Sequence, residues 1–128
     1  MVKFVKNQYL NSELTGKIIE HAFDIFNKLG YGYPEKVYQQ SLFKALTKEN
    51  LKVERERYCK LEIDGNKVGH FFVDLVVNDC VVVELKARED ILNKDVAQTL
   101  AYLKLHHIKI GLILAFSKTG VKIKRLIL

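Results

Sequence analysis

Apolar residues recur every three or four positions in three stretches of the chain, which is the spacing of a helix that buries one face. The first stretch begins at Ser12, which can cap a helix, and ends at Gly30, which can adopt the conformation that stops one. The second begins at Pro34, a residue suited to the first position of a helix, and runs to about Asn50. The third runs roughly from Asn93 to His106. The pattern therefore predicts three helices.

The same spacing predicts which residues of each helix face the core. For the first helix they are Ile18, Ile19, Ala22, Phe23, Ile25, Phe26 and Leu29. For the second helix they are Tyr38, Leu42, Ala45 and Leu46. For the third helix they are Val96, Ala97, Leu100 and Leu103.

Elsewhere the chain has shorter apolar runs, rich in β-branched and aromatic residues and bounded by turn residues, and these predict strands. The predicted strands are Lys52–Ile63, Phe71–Val77, Cys80–Lys86, Ile108–Phe116 and Val121–Ile127. Turns are predicted at Asp64-Gly65-Asn66 and at Ser117–Gly120. The order ααβββαββ predicts an α/β (α+β) fold in which helices flank a mixed β-sheet.

Three charged side chains interrupt two of these apolar strands. Asp74 lies within Phe71–Val77, and Glu84 and Lys86 lie within Cys80–Lys86. Burying charge in a sheet costs several kcal/mol unless the charges are paired or hold a metal. A fold does not need this cost, so the pattern indicates a functional site on the hairpin that the two strands form.

The connection between the two strands decides whether the carboxylates can meet. With a two-residue turn, Asp74 would lie opposite Val83 and would face away from Glu84. A three-residue connection, Asn78-Asp79-Cys80, places Asp74 directly across from Glu84. Its Asp79 tolerates the left-handed conformation that such hairpins use. We predict the three-residue form.

An Asp and a Glu side by side on two strands suit Mg²⁺ or Mn²⁺, which take oxygen ligands and keep several waters. Such an ion can polarise a phosphoryl oxygen and activate water near neutral pH. Lys86, on the same face of its strand as Glu84, can position that water or balance transition-state charge. Glu-x-Lys triplets are also frequent on solvated strands, but Asp74 on the neighbouring apolar strand favours a phosphodiesterase site.

Three further residues are candidates for the same site. Glu35 shares a helical stripe with Tyr38 and should point towards the core, although the helix dipole stabilises an acid in a first turn in any case. Gln98 and Tyr102 are four residues apart, so they are neighbours on one face of the third helix. They could contact a metal-bound water, a base or a phosphate, or they could form a helix face half-buried against the sheet.

The composition is that of one soluble globular domain spanning residues 1–128, with 28% charged and 48% hydrophobic residues. No apolar run approaches the ~20 residues of a membrane helix, and the N-terminus lacks the features of a signal peptide. Cys59 and Cys80 do not have the spacing of a zinc site and are expected to be reduced thiols. We therefore expect a cytoplasmic protein without a membrane partner.

The net charge of +6 arises entirely in the last quarter of the sequence. Up to Asp95 the chain has fifteen basic and fifteen acidic residues, whereas the remainder has six basic residues and no acid. The six are Lys104, Lys109, Lys118, Lys122, Lys124 and Arg125. A one-sided basic region suits nucleic acid, and DNA is the expected partner. A lysine-rich edge that keeps the sheet soluble is the alternative, and charge alone favours neither.

The start of the second helix contains a Gly-x-x-Glu-x-x-Tyr motif, in the segment Gly32-Tyr33-Pro34-Glu35-Lys36-Val37-Tyr38. In this motif the chain resembles the GxxExxY proteins, small proteins assigned to the PD-(D/E)XK nuclease superfamily. The resemblance runs from about Leu14 to Leu128. It also includes Leu29-Gly30, Asp74, Glu84-Leu85-Lys86, Gln98-x-x-x-Tyr102 and Ile123-Lys124-Arg125-Leu126. Phe26 and Gly30-Tyr31-Gly32 depart from it, where many such proteins have a histidine and Gly-Pro-Gly.

The resemblance implies a restriction-endonuclease-like core, with Asp74 and Glu84 as metal ligands and Lys86 as the catalytic lysine. It also implies that Glu35 is an additional metal-binding acid and that Gln98 and Tyr102 form an accessory motif. The leading hypothesis is therefore an Mg²⁺- (or Mn²⁺-) dependent nuclease that acts on DNA. Two alternatives stay open: a nucleic-acid-binding module without turnover, and a partner-binding protein that forms a homodimer through Tyr31, Tyr33 and Phe72.

Overall fold

The computed structural model describes residues 11–128, and its elements follow the order ααβββαββ, which confirms the predicted α+β class. The helices are α1 (Ser12–Leu29), α2 (Glu35–Thr47) and α3 (Asn93–His106). The strands are β1 (Val53–Ile63), β2 (Asn66–Val77), β3 (Val81–Lys86), β4 (Ile110–Ser117) and β5 (Gly120–Ile127). Residues 1–10, for which no signal peptide is predicted, lie outside the described residues. Among the helices within residues 11–128, none is long and apolar enough to cross a membrane.

The strands form one mixed sheet in the order β1-β2-β3-β4-β5. β3 and β4 are parallel, and the other neighbouring pairs are antiparallel. Parallel neighbours need a crossover connection, which α3 supplies between β3 and β4. These two central strands are buried almost throughout, because helices cover both faces of the sheet.

Each face of the sheet has its own apolar layer. On one face, Ile18 of α1 and Leu42 of α2 belong to the same cluster as Leu85 of β3. On the other face, Leu103 of α3 belongs to the same cluster as Val82 of β3. Side chains alternate along a strand, so Val81, Val83 and Leu85 of β3 face α1 and α2, and Val82 faces α3.

The helix ends differ slightly from those predicted. Ser12 is the first residue of α1, and Asn11 occupies the cap position with a left-handed φ of 55°. Gly30 ends α1 as predicted, with a φ of 77°. Pro34 occupies the cap position of α2 instead of its first turn, and α2 ends at Thr47. These shifts of one to three residues leave the buried face of α2 in place. In α1, Ile18, Ala22 and Ile25 are buried as predicted, but Phe23 and Leu29 are exposed, so the predicted apolar face is too broad.

The hairpin between β2 and β3 has the predicted three-residue connection. Leu75 pairs with Val83 and Val77 pairs with Val81, so Asn78-Asp79-Cys80 joins the strands. Asn78 and Asp79 both have left-handed φ values, of 51° and 55°. The next step of this register would set Asp74 opposite Glu84. The two residues do adjoin, because the backbone N–H of Asp74 donates a hydrogen bond to the Glu84 carboxylate.

The predicted core face of α3 is confirmed only in part, because Val96 and Leu100 are partly buried against the core and polar residues share the buried face. The buried residues of α3 are Asp95, Thr99, Tyr102 and Leu103. Of the predicted positions only Leu103 is fully buried, and Ala97 is exposed. Gly111 of β4 explains the difference, because a Cβ added there would lie 3.0 Å from Thr99 Cγ2 and 3.4 Å from Leu103 Cδ1. The close approach of Thr99 and Leu103 to Gly111 therefore determines which face of α3 is buried. The number of apolar residues on a face does not determine it.

Filling the space at Gly111 should therefore destabilise the protein. We expect Gly111→Val to lower the free energy of unfolding by about 1–3 kcal/mol, because its methyl groups overlap α3. The matched glycine is Gly16, which lies exposed in α1 with no atom within 4 Å of an added Cβ. Gly16→Ala should raise the free energy of unfolding by about 0.5–1 kcal/mol. Urea unfolding followed by circular dichroism measures both, and equal stability of Gly111→Val and the wild type would contradict the packing described.

Candidate active site

The carboxylates of Asp74 and Glu84 lie just beyond the point where the backbone pairing of β2 and β3 ends. The backbone N–H of Asp74 donates a hydrogen bond to Glu84 Oε1 over 2.8 Å. The backbone N–H of Leu85 donates one to Asp74 Oδ2, also over 2.8 Å. Each strand thus donates a backbone hydrogen to the carboxylate of the other strand. Asp74 and Glu84 are brought together as predicted.

Burial makes both carboxylates hard to ionise. Glu84 is only 6% exposed. Burial, followed by the charge of Asp74, raises the pKa of Glu84 from 4.5 to about 8. Burial likewise raises the pKa of Asp74, against hydrogen bonds from Leu85 and Gln39 and the charge of Lys86. A pair of acids in this state needs positive charge to be fully ionised at neutral pH.

Gln39 of α2 adjoins this pair and was not predicted. Its Nε2 donates a hydrogen bond to Asp74 Oδ1 over 2.8 Å. The side chain is buried, and among residues 11–128 its Oε1 has no hydrogen-bond partner. The spacing of Glu35, Gln39 and Leu42 along α2 is that of one helical face, so this glutamine could have been found from the sequence.

Glu35 lies at the edge of the pair, at the start of α2. Its Oε1 is 3.8 Å from Lys86 Nζ, and its side chain is 41% exposed. Burial raises the pKa of Glu35, against the charge of Lys86. The preceding loop is fixed by Tyr38, whose hydroxyl donates to the Gly30 carbonyl over 2.7 Å and whose ring stacks on Phe116 at 4.1 Å. The structure therefore places Glu35 beside Lys86. Its role as a metal-binding acid stays a prediction.

Lys86 is held between two acids, one from each side of the site. Opposite Glu35, Asp95 Oδ1 of α3 lies 3.9 Å from Lys86 Nζ. Asp95 is 3% exposed and also accepts hydrogen bonds from Arg88 and from the backbone N–H of Leu92. Burial alone would raise the pKa of Asp95, but these hydrogen bonds and the nearby cations lower it. Asp95 is therefore ionised at neutral pH and places a negative charge beside Lys86.

Arg88 and Asp95 are further residues that the sequence analysis missed. Arg88 follows Lys86 by two positions, just beyond β3, and its Nε is a buried donor with no partner among the described residues. Apolar spacing could not identify Asp95, because an acidic residue in a helix is predicted to be exposed to solvent. A short-range signal did exist, since Asp95 is the third residue of α3 and its carboxylate caps the Leu92 N–H.

Gln98 and Tyr102 are not brought into the carboxylate cluster. Gln98 is exposed on α3, one turn beyond Asp95. Tyr102 is 1% exposed, and its ring stacks on His106 at 4.1 Å. Within residues 11–128, neither residue has a hydrogen bond to Asp74, Glu84 or Lys86. Gln98 therefore lies at the exposed surface of α3, and Tyr102 lies in the apolar layer under α3.

The oxygen atoms of the site fit a hard divalent cation. Within the described residues no group of three or more His, Cys, Asp or Glu side chains is arranged to hold a metal. Mg²⁺ does not need such a cage, because it keeps several waters and binds through one or two carboxylates. Asp74 and Glu84 supply these carboxylates, and the unpartnered Oε1 of Gln39 adds a third oxygen of the right kind. Glu35 lies at the lysine, at the edge of this set.

A profile of the PD-(D/E)XK nuclease superfamily matches residues 12–126. The chain belongs to this superfamily. The chain contains the residue types of the superfamily's name in the same order, Asp74 followed by Glu84-Leu85-Lys86, and Val73 precedes Asp74 where the name has proline. The restriction-endonuclease-like core implied by the sequence is therefore confirmed.

The fold is also similar to that of SSO0001 in its crystal structure, with a TM-score of 0.55 and 17% sequence identity. The similarity covers 95% of this chain and 62% of SSO0001, so the chain spans less than two thirds of that protein's length. At this level of identity the likeness supports the fold alone. No curated protein matches the chain at a significant level.

The six basic residues of the last quarter do not gather at one place on this PD-(D/E)XK domain. Lys118 and Lys122 lie at the end of the sheet that holds Lys86, because Lys86 pairs with Ala115 and Ala115 pairs with Lys122. Lys104 and Lys109 lie at the opposite end, at the close of α3 and before β4. Lys124 is exposed in the middle of β5, and Arg125 Nη1 donates to Thr15 Oγ1 of α1 over 2.6 Å.

Ionisation of Glu84 should make the metal-free protein less stable as the pH rises. The folded pKa of about 8 lies above the ordinary 4.5. The folded state therefore binds more protons than the unfolded state between these two values, and the free energy of unfolding falls across this window. Glu84→Gln keeps an acceptor for the Asp74 N–H but cannot ionise. At pH 8 we expect it to be more stable than the wild type by about 1–3 kcal/mol.

Urea unfolding in EDTA at pH 5 and pH 8 measures this effect. The control is Glu62→Gln, because Glu62 is an exposed glutamate paired with Lys60 at 3.1 Å. The control should keep the pH dependence of the wild type. If Glu84→Gln keeps it as well, the buried carboxylate pair is not its source.

Proposed function

We propose that the protein is a metal-dependent phosphodiesterase that cleaves DNA, with Mg²⁺ or Mn²⁺ bound by Asp74 and Glu84. The observation that carries the proposal is the pair of buried, adjoining carboxylates with Lys86 beside them, in a chain of a nuclease superfamily. An ion bound there would polarise a phosphoryl oxygen and lower the pKa of a water molecule. Glu35, at the open edge, would complete the ligands of this ion or contribute to a second one.

The charge balance of the site supports a divalent cation. Four carboxylates, those of Glu35, Asp74, Glu84 and Asp95, lie against the two cations Lys86 and Arg88. Two negative charges are left over when all of these groups are ionised, which is the charge that one divalent cation neutralises. Burial of the excess charge is costly, and the raised pKa of Glu84 expresses this cost.

The two cations suit the phosphate side of the reaction. Lys86 Nζ is held by Glu35 and Asp95 at 3.8 and 3.9 Å, distances that leave its hydrogens free for a water or a phosphate oxygen. We assign Lys86 to positioning the attacking water and balancing charge in the transition state. Arg88 Nε, a buried donor without a partner in residues 11–128, suits a non-bridging phosphate oxygen.

Within the superfamily, we propose that the chain is one of the GxxExxY proteins. The structure gives each letter of that motif a physical role that supports this assignment. Gly32 has a φ of 99°, a conformation that few other residues adopt. Tyr38 fixes the loop by its bond to the Gly30 carbonyl, and Glu35 reaches Lys86.

Cleavage assays with Mg²⁺ and with Mn²⁺ on single-stranded, duplex and branched DNA test the activity. We expect Asp74→Asn and Lys86→Met to lower kcat/KM by about 100-fold or more, because each removes a group that acts on the reacting atoms. Lys60→Met, at an exposed lysine of β1, is the matched control and should keep full activity. DNA binding without cleavage by the wild type would instead identify a binding module. The absence of both cleavage and binding would refute the proposal.

We propose that DNA phosphates contact the basic residues at the site end of the sheet. Lys122→Ala should weaken DNA binding and reduce the slope of log K against log salt by about 1, because one phosphate contact is lost. Lys104→Ala is the control, since Lys104 is equally basic but lies at the far end of α3. Fluorescence anisotropy across a salt series, with Ca²⁺ replacing Mg²⁺ to prevent cleavage, measures both slopes. Equal slopes for Lys122→Ala and the wild type would contradict this placement.

A further inference from the structure

We infer that Gln39 is a metal-site residue, whose Nε2 positions Asp74 and whose Oε1 contacts the divalent cation directly or through one of its waters. The inference rests on the proposed function and adds a neutral ligand from α2 to the two strand carboxylates. The sequence motifs of the site do not include this residue.

The hydrogen bond to Asp74 fixes how the Gln39 amide is turned. Nε2 lies 2.8 Å from Asp74 Oδ1. In the flipped orientation an amide oxygen would meet a carboxylate oxygen, and two acceptors repel each other. The donor therefore points to Asp74, and Oε1 is the atom of the amide left for another partner.

The surroundings of Oε1 indicate what that partner is. Gln39 is 4% exposed, and Oε1 is a buried acceptor without a partner among the described residues. A buried acceptor needs a donor or a cation. The side chain that the amide contacts is an acid, Asp74, and Lys86 is already placed between Glu35 and Asp95. A hydrated divalent cation beside Asp74 supplies either a metal ion or a water hydrogen at this position.

Gln39 and Glu35 have different relations to the carboxylate pair. Glu35 Oε1 lies 3.8 Å from Lys86 Nζ and is partly exposed, so part of its charge is already balanced. Gln39 is buried and touches Asp74 itself. We therefore assign Gln39 to the ion at Asp74 and Glu84, and Glu35 to the open edge of the site.

The experiment is calorimetric titration of the full-length protein with Mn²⁺, without DNA. Gln39→Met keeps the length of the side chain but removes both polar atoms, and we expect it to raise Kd by about 10- to 100-fold. Gln39→Leu also removes both polar atoms in a side chain of similar size, and it should raise Kd to a similar extent. Gln40→Met changes the next residue of α2 and should leave Kd unchanged.

The outcomes separate this inference from the proposed function. If the wild type binds no Mn²⁺, the metal-dependent function fails and the inference fails with it. If Asp74→Ala abolishes binding while Gln39→Met binds like the wild type, the function stands and the inference is overturned, with Oε1 bonded to an ordinary water. If Gln39→Met does not fold, Gln39→Leu decides, because a Kd equal to that of the wild type in that variant overturns the inference.

Discussion

Two backbone-to-carboxylate hydrogen bonds hold β2 and β3 together at the point where their ladder ends, and the site depends on them. Asp74 accepts from Leu85, and Glu84 accepts from Asp74, so each acid binds a backbone N–H of the other strand beyond the last paired residues, Leu75 and Val83. Hydrogen bonds to charged acceptors are stronger than those between neutral groups. The bonds require the three-residue connection after Val77, because a slip of one residue would turn one carboxylate to the other face.

The same bonds create an electrostatic problem that the helices partly solve. Two carboxylates are buried side by side, and α2 and α3 each bring one more acid to Lys86. Asp95 remains ionised because Arg88 and the Leu92 N–H bind it, whereas the pKa of Glu84 rises to about 8 because burial dominates there. The fold thus keeps Asp95 ionised, whereas it favours the protonated, uncharged form of Glu84 at neutral pH. A cation that binds between Asp74 and Glu84 would favour the ionised form of Glu84.

The sequence predicts the strand part of this site better than the helix part. Asp74, Glu84 and Lys86 interrupt apolar runs, and a period of two leaves only a few registers to consider, so their meeting could be predicted. The bounds of α3, Asn93–His106, also agree with the prediction, but its buried face agrees only in part, because it includes Asp95 and Thr99. That face depends on Gly111, which lies on a strand of another part of the chain and permits Thr99 to approach. Apolar spacing within a helix contains no information about such a contact.

Gln39 and Asp95 escaped prediction for a related reason. The helical face shared with Glu35 and the position at the start of α3 are local signals for Gln39 and Asp95, but neither signal identifies the partners, which are Asp74 and Arg88. The two residues belong to helices on opposite faces of the sheet, and each reaches one group at the ends of β2 and β3. Neither apolar layer alone therefore completes the site. Because both layers must pack before Asp74 and Lys86 are held in place, assembly of the site is a consequence of folding the whole sheet.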